Sequence, residues 1–170
     1  NWESPVGGRI INVGDCESTH CGVGFGLMLN GVTSILVAKQ LDFLLLGVEQ
    51  MVSTYQNMRS HRDLSELGGF SIISVICDQG FQGPQSSFNA LGDICSMARV
   101  PGYTLTNSQD AELILKTQLN APGFRIICVS QRLYPTEMLE FELLYNSPDY
   151  SVLQYFDGDD VTIACFNCSI

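Results

Sequence analysis

Glu17 and His20 stand one helical turn apart. On a helix they share a face, so His20 can reach whatever site Glu17 serves. An acid at that position is also what the positive end of a helix favours on its own. Cys16 and Cys21 flank the pair, but a thiol nucleophile with His20 as base needs a third, orienting residue, and none stands beside them. Further on, Gln85, Ser86 and Ser87 follow Gly83-Pro84. Their amide and hydroxyl groups donate and accept hydrogen bonds but take no proton near neutral pH. Cys165-x-x-Cys168 is the one pair with metal or redox spacing, and it has no second pair to complete a site. Gly22-x-Gly24-x-Gly26 lacks the G-x-G-x-x-G spacing of a dinucleotide loop and falls inside a helix rather than at a strand-to-helix turn. His61 lies in a charged stretch and reads as solvated.

Strands and helices alternate around these residues. Ile-Ile-Asn-Val within residues 9–14 reads as a first strand. A helix follows, with Ser18 or Thr19 as its cap and glycines at 22, 24, 26 and 31. Each interior glycine costs a helix about 1 kcal/mol against alanine, so something must approach it closely. Gly22 and Gly26 share a face, which predicts another helix packed there at short range. Residues 34–38 form a short, continuously apolar strand, as in sheets buried on both faces. Residues 43–58 have helical apolar spacing and 70–77 make the strongest strand. Residues 78–84 form a glycine- and proline-rich loop, and 87–98 an amphipathic helix. A short strand at 103–105 leads to a helix capped by Asn107 and stopped by Pro122-Gly123, then to a strand over 124–129. This order predicts an α/β fold: a doubly wound, mainly parallel sheet with helices on both faces and right-handed crossovers. Ligands of such sheets bind at the carboxyl ends of the strands, where Glu17, residues 40–43 and residues 78–87 would gather.

The ordered set Glu17, Gly22, Gly31, Phe43 and Glu49-Gln50 resembles the pyrimidine-binding domain of thiamine diphosphate-dependent enzymes. The likeness is to transketolases and to the beta subunits of 2-oxo acid dehydrogenases. Asp78-Gln-Gly-Phe-Gln-Gly-Pro84, Arg99-Val-Pro-Gly-Tyr-Thr-Leu105, Asn107-Ser-Gln-Asp-Ala-Glu112 and the segments around 124–129 and 132–134 extend it over roughly residues 8–135. The resemblance implies that Glu17 hydrogen-bonds a ring nitrogen of the aminopyrimidine and stabilises its imino tautomer, which then removes the thiazolium proton. It implies that Phe43 stacks on that ring, with Gly22, Gln40 and Leu41 as further cofactor contacts and His20 within reach. It places Gln85, Ser86 and Ser87 in the substrate loop.

Two features depart from the family. Relatives usually carry a histidine in the loop at 83–87, and this chain has Gln85, Ser86 and Ser87, which puts ordinary sugar transketolase chemistry in doubt. The Gly-Asp-Gly and later Asn that hold magnesium and diphosphate are missing; Asp157-Gly-Asp159 falls in a linker. The chain would therefore hold only the pyrimidine half of thiamine diphosphate, with magnesium and the diphosphate held by a diphosphate-binding domain on another polypeptide, in a homo- or hetero-oligomer acting on a ketose or 2-oxo acid. The alternative is a catalytically inactive interaction module of the same fold.

Composition sets the remaining bounds. The chain has 170 residues, 45 % of them hydrophobic, enough for one packed domain. Residues 1–134 read as the pyrimidine-binding domain, 135–159 as a linker, and 160–170 as the first strand of a truncated C-terminal domain. A net charge of −10 with lysines only at 39 and 116 argues against nucleic acid and anionic membrane as partners. Seven scattered cysteines suit reduced thiols. The N-terminus shows no basic-then-apolar signal pattern and opens on Asn, as a processed or excised piece would. These readings predict a cytoplasmic protein.

Overall fold

The computed structural model describes residues 6–133 and 142–164. Four strands, β1 (Ser34–Gln40), β2 (Gly69–Ile76), β3 (Gly102–Leu105) and β4 (Gly123–Ser130), form one sheet in the order β1-β2-β4-β3. All three pairings are parallel. Helices α2 (Tyr55–His61), α3 (Leu91–Ala98) and α4 (Ser108–Gln118) supply the crossovers, and α1 (Glu17–Leu29) precedes β1.

Alternation along the strands divides the core into two layers. Phe70, Ile72, Phe124, Ile126 and Cys128 face α1 and α3, with Leu36 and Ala38 of β1 beside them. The rings of Phe25, Tyr55, Phe70 and Phe124 meet there with centroids between 4.9 and 5.6 Å apart, a mixture of stacked and edge-on pairs. On the opposite face Tyr103, Leu105 and Ile127 pack with Ile114 of α4. The expected α/β arrangement with a parallel sheet and helices on both faces is therefore what the chain adopts.

Local chemistry explains the element ends. Asn107 accepts from Asp110 N at 2.8 Å and caps α4 as expected. At the other end of α4 the buried guanidinium of Arg125 donates to the carbonyls of Gln118, Pro122 and Gly123. The Gln118 carbonyl is one that the helix terminus leaves without an intrahelical partner; the other two belong to the turn into β4. Helix α1 closes on Asn30, whose Nδ2 donates to Gly26 O at 2.8 Å, and on Gly31 at φ +76°.

Several expectations are corrected. Residues 9–14 form no strand; Ile10, Ile11 and Val13 are exposed. Helix α1 starts at Glu17 after Cys16, so neither Ser18 nor Thr19 caps it; the Cys16 thiol instead donates to Thr19 Oγ1 at 2.9 Å. The expected helix over 43–58 is helical from Leu41 to His61 but changes its winding. A tight 3-10 segment, Leu41–Gly47, gives way to a wide π turn, Gln50–Thr54, before α2. The amphipathic helix is shorter than 87–98, because residues before Leu91 belong to the preceding loop.

The close approach that the helix glycines predict occurs at Gly24, where a Cβ would overlap the Phe70 ring. The neighbour there is a strand side chain; on the Gly22–Gly26 face, Gly22 stands against Gln50 of the helical segment Gln50–Thr54, while Gly26 has open space where a Cβ would stand. The expected linker over 135–159 falls among the described residues from 142 onward, and there it contains an antiparallel ribbon, β5 (Tyr145–Asn146) and β6 (Leu153–Gln154). Tyr150 and Leu153 of this ribbon pack on the Tyr103–Ile127 layer, and the Tyr155 hydroxyl donates to Asp110 Oδ2. Residues 160–164 are irregular and exposed rather than a strand; Cys165 and Cys168 lie outside the described residues.

No helix among the described residues is long and apolar enough to cross a membrane.

Candidate functional site

A cavity of about 440 Å³ opens between the start of α1 and the carboxyl end of β1. Glu17, His20, Gln40 and Phe43 line it, with Lys39 and Asp15 at its margin. The arrangement follows from three local causes. Glu17 and His20 sit in the first turns of α1, where one turn of spacing aims both side chains the same way. Gln40 ends β1, beyond a register slip against β2 between Val37 and Gln40. Phe43 is half-buried in the 3-10 segment that follows immediately.

Gly47 lets that segment close on α1. A Cβ there would stand 2.7 Å from Cys21 Sγ and 3.4 Å from the Glu17 carbonyl oxygen. Burial, with a smaller contribution from the Glu17 charge, pushes the Cys21 thiol up to about 11. Cys21 is therefore a protonated packing group at neutral pH, and the thiol–imidazole alternative finds no thiolate there.

The other expected site residues fall elsewhere. Leu41 is fully buried in the core, not in the cavity. Gly22 points at Gln50, whose Oε1 lies 3.7 Å from where its Cβ would be. Gln85, Ser86 and Ser87 stay in a loop outside the cavity lining. The Ser87 hydroxyl holds that loop's own turn: it accepts from Gln82 N at 2.8 Å and Gly83 N at 3.2 Å and donates to Gly83 O at 2.7 Å. One donor and two acceptor sites are all a serine has, so Ser87 is a loop staple.

Asp42 is a residue the sequence reading did not single out. It is fully buried, and its Oδ2 accepts from Phe88 N at 3.1 Å. This bond ties the loop after β2 to the segment carrying Gln40 and Phe43. Next to it the Cys77 thiol is pushed up to about 11, first by burial, then by its hydrogen bond to Asp42 and by the Asp42 and Asp78 charges. A lone acid between Leu41 and Leu44 in an otherwise apolar run was the available signal. Asp78, at the end of β2, accepts from Ser130 Oγ at 2.5 Å, which joins the carboxyl ends of β2 and β4. Among the described residues no group of three or more His, Cys, Asp or Glu side chains is placed to hold a metal ion.

No protein-family model matches the chain, and no curated protein matches it.

Proposed function

We propose that this chain is the pyrimidine-binding part of a thiamine diphosphate enzyme of the transketolase or 2-oxo acid dehydrogenase type. The observation that carries the reading is the convergence of Glu17, His20, Gln40 and Phe43 on one cavity at the carboxyl end of β1. Its volume falls in the ~300–1,000 Å³ range of small-molecule sites. A carboxylate, an amide and an aromatic face suit an aminopyrimidine, a flat ring with donors and acceptors on its edge. Phe43 would add on the order of 1 kcal/mol by offset stacking. The cavity does not suit a diphosphate: Asp15 and Glu17 make it acidic, and among the described residues Lys39 is the only Lys or Arg on its wall. Magnesium and the diphosphate are assigned to a partner domain on another chain.

Bound thiamine diphosphate supplies the carbanion chemistry. The chain's own part is narrower. Glu17 holds the ring nitrogen and governs its proton, Phe43 fixes the ring plane, and Gln40 bonds its edge. His20 stands on the same face of α1 as Glu17, the group here best suited to moving a substrate proton, since the loop at 83–88 offers none. The substrate is a ketose or 2-oxo acid, and the compartment is the cytoplasm. A second reading, a non-catalytic interaction module of this fold, is favoured by one observation: the Ser87 hydroxyl is consumed within its loop.

The test is NMR titration of the chain with 4-amino-2-methylpyrimidine and with thiamine diphosphate plus magnesium. Activity is then assayed after mixing with a diphosphate-binding domain. Shifts centred on Glu17, His20 and Phe43, lost in Phe43→Ala, with turnover lost in Glu17→Gln, are expected. No shift at these residues with either probe overturns the reading.

A further inference from the structure

The sheet ends on β1, whose only strand partner among the described residues is β2. An edge strand presents a row of unpaired backbone donors and acceptors, and native proteins usually blunt such an edge with charge, proline or a covering element. Here Lys39 is the one charge among the outward residues; the others are Ile35 and Val37, at 46 % and 54 % exposure. The face they occupy continues into an apolar hollow of about 500 Å³ bordered by Ile73, Val75 and Val129, with no residue of α4 in its lining. Near the other end of the chain Asp159, Val161 and Ile163 alternate in the same way, and Val161 and Ile163 are 76 % and 81 % exposed.

We infer that residues 157–164 of one copy pair antiparallel with the β1 edge of a second copy, and that the exchange is reciprocal. One register satisfies every outward residue. It sets Asp159 beside Lys39, Val161 beside Val37 and Ile163 beside Ile35, all on one face of the sheet. Apolar and opposite-charge cross-strand pairs are the units that stabilise such pairing. Parallel pairing can also bring valine and isoleucine together, but it leaves Asp159 beside Thr33 and Lys39 without an acid. Addition of a strand to a free edge supplies backbone hydrogen bonds, with the side-chain alternation setting the register.

Reach places the segment on a second copy. The ribbon that precedes it is docked over β3 and α4 through Tyr150, Leu153 and Tyr155, at the far side of the sheet from β1. Four strand spacings of about 4.8 Å separate β3 from a position outside β1, roughly 19 Å. Four residues from Tyr155 to Asp159 span about 14 Å at most. A two-fold arrangement lets each copy give a segment and receive one.

Sedimentation velocity on the full chain tests this. The wild type is expected to sediment as a dimer at micromolar concentration, and Val161→Asp with Ile163→Asp as a monomer with an unchanged circular dichroism spectrum. Lys39→Glu should weaken dimerisation about three- to tenfold, and adding Asp159→Lys should restore it. Both tail residues are exposed in the single chain, so their substitution leaves its core intact. A monomeric wild type overturns the inference, including one whose residues 157–164 are protected from hydrogen exchange within the same chain. A dimer indifferent to the tail substitutions overturns it as well. None of these outcomes depends on the cofactor reading of the cavity.

Discussion

Gly47 and Cys21 set the gap between the two segments that wall the cavity: a Cβ at residue 47 would lie 2.7 Å from Cys21 Sγ. Gly47→Ala is therefore an overpacking change and should cost about 1–3 kcal/mol in urea unfolding. Cys21→Ala makes room for the new methyl, so the double variant should lose measurably less than the two single losses added together.

Alkaline pH should unfold the chain through its thiols. Cys21, Cys77 and Cys95 are each pushed up to about 11, mainly by burial. An unfolded thiol ionises near pH 8.5. The folded-state values lie higher, so the unfolded chain loses its protons first, and stability present below about pH 8.5 drains away as pH rises towards 11. Calorimetry should show Tm falling across that window. At pH 8, alkylation followed by mass spectrometry should find exposed Cys16 modified and buried Cys21, Cys77 and Cys128 protected.

Tyr155 ties the ribbon to the body through Asp110, whose Oδ2 also accepts from Thr106 and Asn107. Tyr155→Phe removes one hydrogen bond to a buried carboxylate, a loss of about 1.5–3 kcal/mol. Hydrogen exchange should accelerate over residues 145–154 while β2 and β4 stay protected.

Asp42 holds the loop after β2 by accepting from Phe88 N. An amide oxygen can accept the same bond, so Asp42→Asn should keep the loop ordered. Asp42→Leu leaves the Phe88 N–H without that partner, and exchange at residues 83–90 should rise. Equal exchange in the two variants would mean that the bond does not order the loop.

The alternation of apolar strands with helices made the parallel sheet legible in the sequence, because strands buried on both faces must be apolar at successive positions, as in β2 and β4. Asn107 was legible as a cap for a local reason, since its side chain bonds a backbone group three residues on. The cavity was legible in part: Glu17, His20, Gln40 and Phe43 meet there, and one-turn spacing and a strand end are short-range facts. Leu41 was misplaced because neighbours on a helical segment point in different directions, and the cavity and the core compete for them. Asp42 escaped because its partner, Phe88, is far along the chain. The expected strand at 9–14 failed for a comparable reason: its apolar pattern is strand-like, but the pairing that would make it a strand is non-local. The ribbon at 145–154 has strands of two residues each, too short for any periodicity to register.

The strand order has a consequence for how the chain is made. β2 leaves the ribosome more than fifty residues ahead of its neighbour β4, and β3 is finished before β4, its one strand partner among the described residues, exists. Until residue 130 has emerged, the nascent chain can pair only β1 with β2, and Ile72 and Ile76 have no β4 beside them. Closure of such long loops is slow, and half-built sheets with open apolar edges are where nascent chains stick to one another. Synthesis speed between residues 76 and 130, and chaperone occupancy over that stretch, should therefore govern the yield of folded protein more strongly than anything that happens after β4 is in place.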